Sequence, residues 1–166
     1  MIQKILALAV SSLFLSPIFA DDPYTLHSFD RIQLSDQFFC EGATFADVNR
    51  DGTMDVVAGP YWYEGPKFLK RFEIYPPATF DVRNFSDNFF AFPHDLNNDD
   101  WVDIVVVGFP GKEAYWYQNP QNKTGHWKRH FIHGEVDNES PHYTDLTGDG
   151  RPELVFHTGG RFGYME

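Results

Sequence analysis

The stretch Asp47-Val48-Asn49-Arg50-Asp51-Gly52-Thr53-Met54-Asp55-Val56-Val57 decides the reading of this chain, because it occurs three times. It returns as Asp95-Leu96-Asn97-Asn98-Asp99-Asp100-Trp101-Val102-Asp103-Ile104-Val105. It returns again as Asp145-Leu146-Thr147-Gly148-Asp149-Gly150-Arg151-Pro152-Glu153-Leu154-Val155. Flanking sequence repeats with it. Upstream, Ser35-Asp36-Gln37-Phe38-Phe39 matches Ser86-Asp87-Asn88-Phe89-Phe90. Downstream, Tyr61-Trp62-Tyr63-Glu64-Gly65-Pro66 matches Tyr115-Trp116-Tyr117-Gln118-Asn119-Pro120. A match along the whole unit marks a structural repeat, with units at about 35–83, 84–135 and 136–166.

Each unit reads as four short strands. One approaches the acidic loop and one leaves it as a continuous apolar run, such as Val102–Val107. A run of that kind fits a strand covered on both faces. The third carries the Tyr-Trp-Tyr triplet and stops at Gly-Pro or Asn-Pro, a turn signal. The fourth holds basic residues, as an outer strand does. No stretch has a capped helical period. Four-stranded sheets recurring at about 40–50 residues imply an all-β fold of β-propeller blades. A β-sandwich is the rival, and similarity between whole repeats favours the propeller.

About three blades are present in this reading, the last stopping in or after its third strand. Residues 24–34 resemble a fourth strand with no blade before it. The expectation is that this segment completes the last blade of a ring whose remaining blades belong to a longer chain, since about 4–8 are needed for closure.

The acidic loops form oxygen cages. Carboxylates or carboxamides alternate at positions 1, 3 and 5, save that Thr147 stands for the carboxamide in the third loop; an acid stands at position 9, and the position 7 carbonyl adds a ligand. The candidate ligands are Asp47, Asn49, Asp51, Thr53 and Asp55; Asp95, Asn97, Asp99, Trp101 and Asp103; Asp145, Thr147, Asp149, Arg151 and Glu153. Hard oxygen donors in this number select Ca²⁺. Two carboxylates about 4 Å apart repel by ~4 kcal/mol at an effective dielectric near 20, so three converging acids call for a cation. Gly52 and Gly150 sit where such loops turn most sharply; Asp100 replaces glycine in the second loop, so Asn98 or Asp100 is expected to turn left-handed there. An EF-hand would need a Glu at position 12, where this chain has Ala58, Val106 and Phe156.

These loops and their apolar second strands resemble the FG-GAP/VCBS repeats of integrin α-subunit propellers and of secreted bacterial proteins. The resemblance spans residues 24–166. It implies a propeller with Ca²⁺ between the first two strands of a blade, held by the ligands named above. The Phe-Gly and Gly-Ala-Pro elements of the family are replaced here by Val57-Ala58-Gly59-Pro60 and Val107-Gly108-Phe109-Pro110.

Composition limits the partners. Asp and Glu number 24 against 13 Lys and Arg, a net charge of −11, which argues against a nucleic-acid tracker. One cysteine, Cys40, excludes an intramolecular disulfide. Lys4, the apolar run Ile5–Leu15 and Ser16-Pro17-Ile18-Phe19-Ala20 read as a signal peptide over residues 1–20, leaving a propeller domain at 21–166 and a secreted or periplasmic protein. The expected function is a non-catalytic binding or scaffold module for an extracellular protein or glycan. The alternative is the propeller of a carbohydrate-active lyase or dehydratase, with His94 and His142 as channel-facing acid or base.

Overall fold

The computed structural model describes residues 28–166. The expected leader, residues 1–20, and the start of the expected N-terminal strand, residues 24–27, lie outside them. Among the described residues, eleven strands form three antiparallel sheets. The first holds β1 (Ala43–Ala46), β2 (Asp55–Ala58), β3 (Tyr61–Tyr63) and β4 (Arg71–Glu73), in that order. The second repeats the order with β5 (Phe90–His94), β6 (Asp103–Val107), β7 (Lys112–Gln118) and β8 (Lys128–Val136). The third has only β9 (His142–Thr144), β10 (Glu153–Thr158) and β11 (Arg161–Met165). These are the meanders of propeller blades, three in number and not closed into a ring. No helix among the described residues is long and apolar enough to cross a membrane.

The sheets stack through apolar rows set by strand alternation. Between adjacent sheets, the position 10 and position 12 side chains of the later unit meet the position 11 valine, or its neighbour at position 13, of the earlier one. Thus Val57 packs with Ile104, Val106, Tyr115 and Tyr117 between the first two sheets. Between the second and third, Val107, Ala114 and Val136 meet Leu154 and Phe156. All five residues of β6 are buried, because this strand is sandwiched on both sides, as its unbroken apolar run requires. Burying each such side chain contributes about 1.5–3 kcal/mol relative to exposure.

Three elements differ from the sequence reading: the described part of the expected N-terminal strand, residues 28–34, carries no strand, and the outer strands expected at 68–75 and 127–133 have other bounds. The outer strand of the second sheet runs nine residues to Val136, with an irregular register opposite Lys112–Tyr115. Fully buried Val136 carries it into the core against the third sheet. In the first sheet β4 is only three residues, because Phe68 takes a positive φ of 53° and its N–H bonds back to Glu64 O at 2.9 Å.

Candidate metal centres

The three acidic loops share one backbone path. Positions 4 and 6 are left-handed in each: Arg50 and Gly52 (φ 60° and 85°), Asn98 and Asp100 (57° and 65°), Gly148 and Gly150 (80° and 90°). The expectation for the second loop asked for one such residue, and both Asn98 and Asp100 adopt it. These twists turn backbone N–H groups inward onto the side chains. In the first loop the Asp47 carboxylate accepts from Asp51 N and Gly52 N at 3.0 and 2.9 Å. Asp51 Oδ1 accepts from Thr53 N at 2.8 Å, and Asn49 Nδ2 donates to Asp51 Oδ2 at 3.0 Å. The second loop repeats this around Asp95 and Asp99, with Asp99 N at 3.1 Å and Asp100 N at 2.8 Å from the Asp95 carboxylate. In the third, Gly148 N and Gly150 N reach Asp145 at 2.7 and 3.0 Å, and Arg151 N reaches Asp149 at 2.8 Å.

Position 9 does something the sequence did not disclose. Asp55 and Asp103 are fully buried. One oxygen of each accepts the position 2 amide, Val48 N at 2.9 Å and Leu96 N at 3.1 Å. The other accepts an amide from the turn after the third strand, Gly65 N and Asn119 N, each at 2.8 Å. These carboxylates therefore tie the loop to the far side of their own sheet. Glu153 keeps the first contact, to Leu146 N at 2.7 Å, and gives the second oxygen to Thr147 Oγ1 at 3.1 Å. Its longer side chain stays within the loop.

Burial pushes the Asp103 carboxyl up to about 6, against the pull of the Asn119 and Leu96 amides; the Asp99 and Asp95 charges add to the rise. Burial likewise raises Asp55. Asp51 is held below the usual carboxylate range by the Asn49 side chain and then by the Thr53 amide. For Asp99, partial burial pulls upward, but hydrogen bonds from Trp101 N, Asn97 and Gln121 outweigh it and the net shift is down.

Among the described residues, Asp145, Asp149 and Glu153 are the acids whose ligand oxygens gather within 4.8 Å of one another. Asp145 and Asp149 are exposed and Glu153 is buried. An all-oxygen triad of this charge fits a hard divalent cation and not a soft one.

Asn119 was visible in the sequence only as half of an Asn-Pro turn. It is buried, and its Nδ2 donates to Val48 O at 2.9 Å and Val102 O at 3.0 Å, joining the first two loops. Asn122 Nδ2 adds a bond to Asn49 O at 3.1 Å, and the Arg50 guanidinium lies 5.5 Å from the Trp101 ring centre. Beside these loops, between β4 and residues 119–127, lies a cleft of about 820 Å³. Trp62, Phe72, Arg71 and the Glu73–His126 pair (2.9 Å) line it. The two expected channel histidines stand on the innermost strands, β5 and β9: His94 touches the Tyr143 ring at 5.8 Å between centres, and His142 is exposed. Cys40 is free, and burial followed by the neighbouring Glu41 charge pushes its thiol up to about 12, a packed rather than a reactive group.

Comparison with protein families found a match to the FG-GAP-like repeat, from the second acidic loop into β10. Residues 95–156 are an FG-GAP-like repeat. Comparison with curated proteins found no match, and comparison with solved structures found none. The matched segment holds loops two and three whole.

Proposed function

We propose that each loop holds one Ca²⁺ and that the chain is a secreted, calcium-braced repeat module that binds an extracellular glycan or protein. The observation that carries this reading is the common loop path, with left-handed residues at positions 4 and 6 in all three loops turning backbone N–H groups onto the acids at positions 1 and 5. Its clearest instance is the triad Asp145, Asp149 and Glu153. In each loop the ion would be held by that loop's carboxylate oxygens and by its position 7 carbonyl, of Thr53, Trp101 or Arg151 respectively. When bound, it neutralises acids that otherwise repel, and so couples loop geometry to folding.

The cleft beside the first two loops supports the binding role. It combines an aromatic pair, Trp62 on Phe72 at 4.4 Å, with charged and amide groups, the mixture that sugar rings and their hydroxyls use. Secretion into calcium-rich surroundings follows from the leader expected at residues 1–20. Titration of the purified chain with Ca²⁺ by calorimetry tests the ion reading. About three sites are expected, with one lost in Asp145→Ala. A chain that takes up no Ca²⁺ would overturn it.

A further inference from the structure

The turn after β7 touches both of the first two acidic loops. Asn119 N donates to Asp103 Oδ1 of loop two at 2.8 Å. Both ends of the buried Asn119 side chain are engaged. Its Nδ2 donates to Val48 O of loop one at 2.9 Å and to Val102 O of loop two at 3.0 Å, and its Oδ1 accepts from Gln121 N at 2.9 Å. Two exposed amides extend the pattern. Gln121 Nε2 donates to Asp99 Oδ2 of loop two at 3.1 Å, and Asn122 Nδ2 donates to Asn49 O of loop one at 3.1 Å. Residues 119–122 thus hold loop one at positions 2 and 3, and loop two at positions 5, 8 and 9.

The backbone of this turn is held against its own preference. Gln121 and Asn122 are consecutive non-glycine residues at φ 58° and 60°. A left-handed residue with a Cβ is disfavoured, and it persists where surrounding contacts over-determine it. Those contacts come from the two loops. The corresponding turn of the first sheet is chemically different. Gly65 stands for Asn119, and a Cβ there would run into Met54 O, so that turn has no room for a stitching side chain. Lys67 and Phe68 stand for Gln121 and Asn122. Pro120 and residues 122–126 also line the cleft that holds Trp62 and Phe72, so whatever fixes the turn fixes one wall of the cleft.

We infer that loops one and two load Ca²⁺ as a coupled pair, with residues 119–122 as the coupling element. This rests on the proposal that the loops hold Ca²⁺. Asp99 and Asp103 are candidate ligands of loop two and also the partners of Gln121 and Asn119, so ordering loop two orders the turn. The ordered turn presents Asn119 and Asn122 to the loop one carbonyls of Val48 and Asn49. Loading either loop therefore bears the cost of ordering the shared turn, and loading the other does not bear it again. Such coupling is positive and reciprocal. Loop three shares no hydrogen bond with this turn among the described residues, and it loads on its own.

Equilibrium dialysis against Ca²⁺ of the Asp145→Ala chain, with loop three silenced, tests this. Two ions are expected, taken up with a Hill coefficient clearly above 1. Adding Gln121→Ala and Asn122→Ala removes two amides and keeps a Cβ at each left-handed position. Both ions are still expected to bind, with the Hill coefficient brought down towards 1. Hydrogen exchange gives a second readout: Ca²⁺ is expected to slow the amides of residues 121–126 by at least about fivefold, the lower end of ordinary coupling between sites. A Hill coefficient of 1 before the two alanines, one that they leave unchanged, or exchange indifferent to Ca²⁺ would overturn the inference while leaving Ca²⁺ binding intact. No Ca²⁺ uptake at all would overturn the ion reading itself, and the coupling with it.

Discussion

Loops one and two differ from loop three in how the acid at position 9 spends its second oxygen. In Asp55 and Asp103 that oxygen reaches across the sheet to an amide in the turn that leads to the fourth strand. In Glu153 it stays home, on Thr147. The short aspartate is a brace between two ends of a blade. The longer glutamate closes its own loop and stands with Asp145 and Asp149 in a tight triad. One position in one repeat thus serves fold integrity in two copies and local loop closure in the third.

The largest expected effect separates these duties. Asp103→Ala strips acceptors from two amides, Leu96 N and buried Asn119 N, and is expected to cost about 3 kcal/mol in urea unfolding. Glu153→Ala should cost less, about 1–2 kcal/mol, since its contacts lie within one loop. Equal losses would break the contrast.

A pH series sharpens it. The folded Asp103 carboxyl titrates at about 6, above its ordinary value of 3.8. Between those values the folded state holds a proton that the unfolded state releases, so this group adds stability as pH falls through the window. In chelator, the melting-temperature gap between wild type and Asp103→Ala should widen from pH 7 to pH 5. A gap that narrows would contradict the buried brace.

The smallest effects concern position 6. Gly150→Ala places a side chain at φ 90° with open space around it, so the cost is backbone strain alone, about 1 kcal/mol. In loop two, Asp100 already sits at φ 65°, and Asp100→Gly should gain roughly 0.5 kcal/mol by relieving that strain. Opposite signs at equivalent positions are the outcome to look for in paired thermal melts.

Much of this was legible in the chain. The repeat is written in side chains, and glycine at 52 and 150 marked left-handed turns before any coordinates. The apolar run of β6 announced a strand buried on both sides. What escaped was long-range. Nothing local shows that the carboxylates of Asp55 and Asp103 face amides seven and ten or more residues away. Asn119 read as a turn former, though its amide reaches Val48 O in a loop 71 residues earlier in the chain. Arg50 gave no sign of its φ of 60°; the loop path imposes it.

The central claim is that divalent ions hold the three loops in shape, and calorimetric melting with and without chelator tests it most directly. The account predicts a clearly higher transition temperature in millimolar Ca²⁺ than in excess chelator, with the difference reduced in Asp51→Ala and Asp145→Ala. Superimposable melts would contradict it.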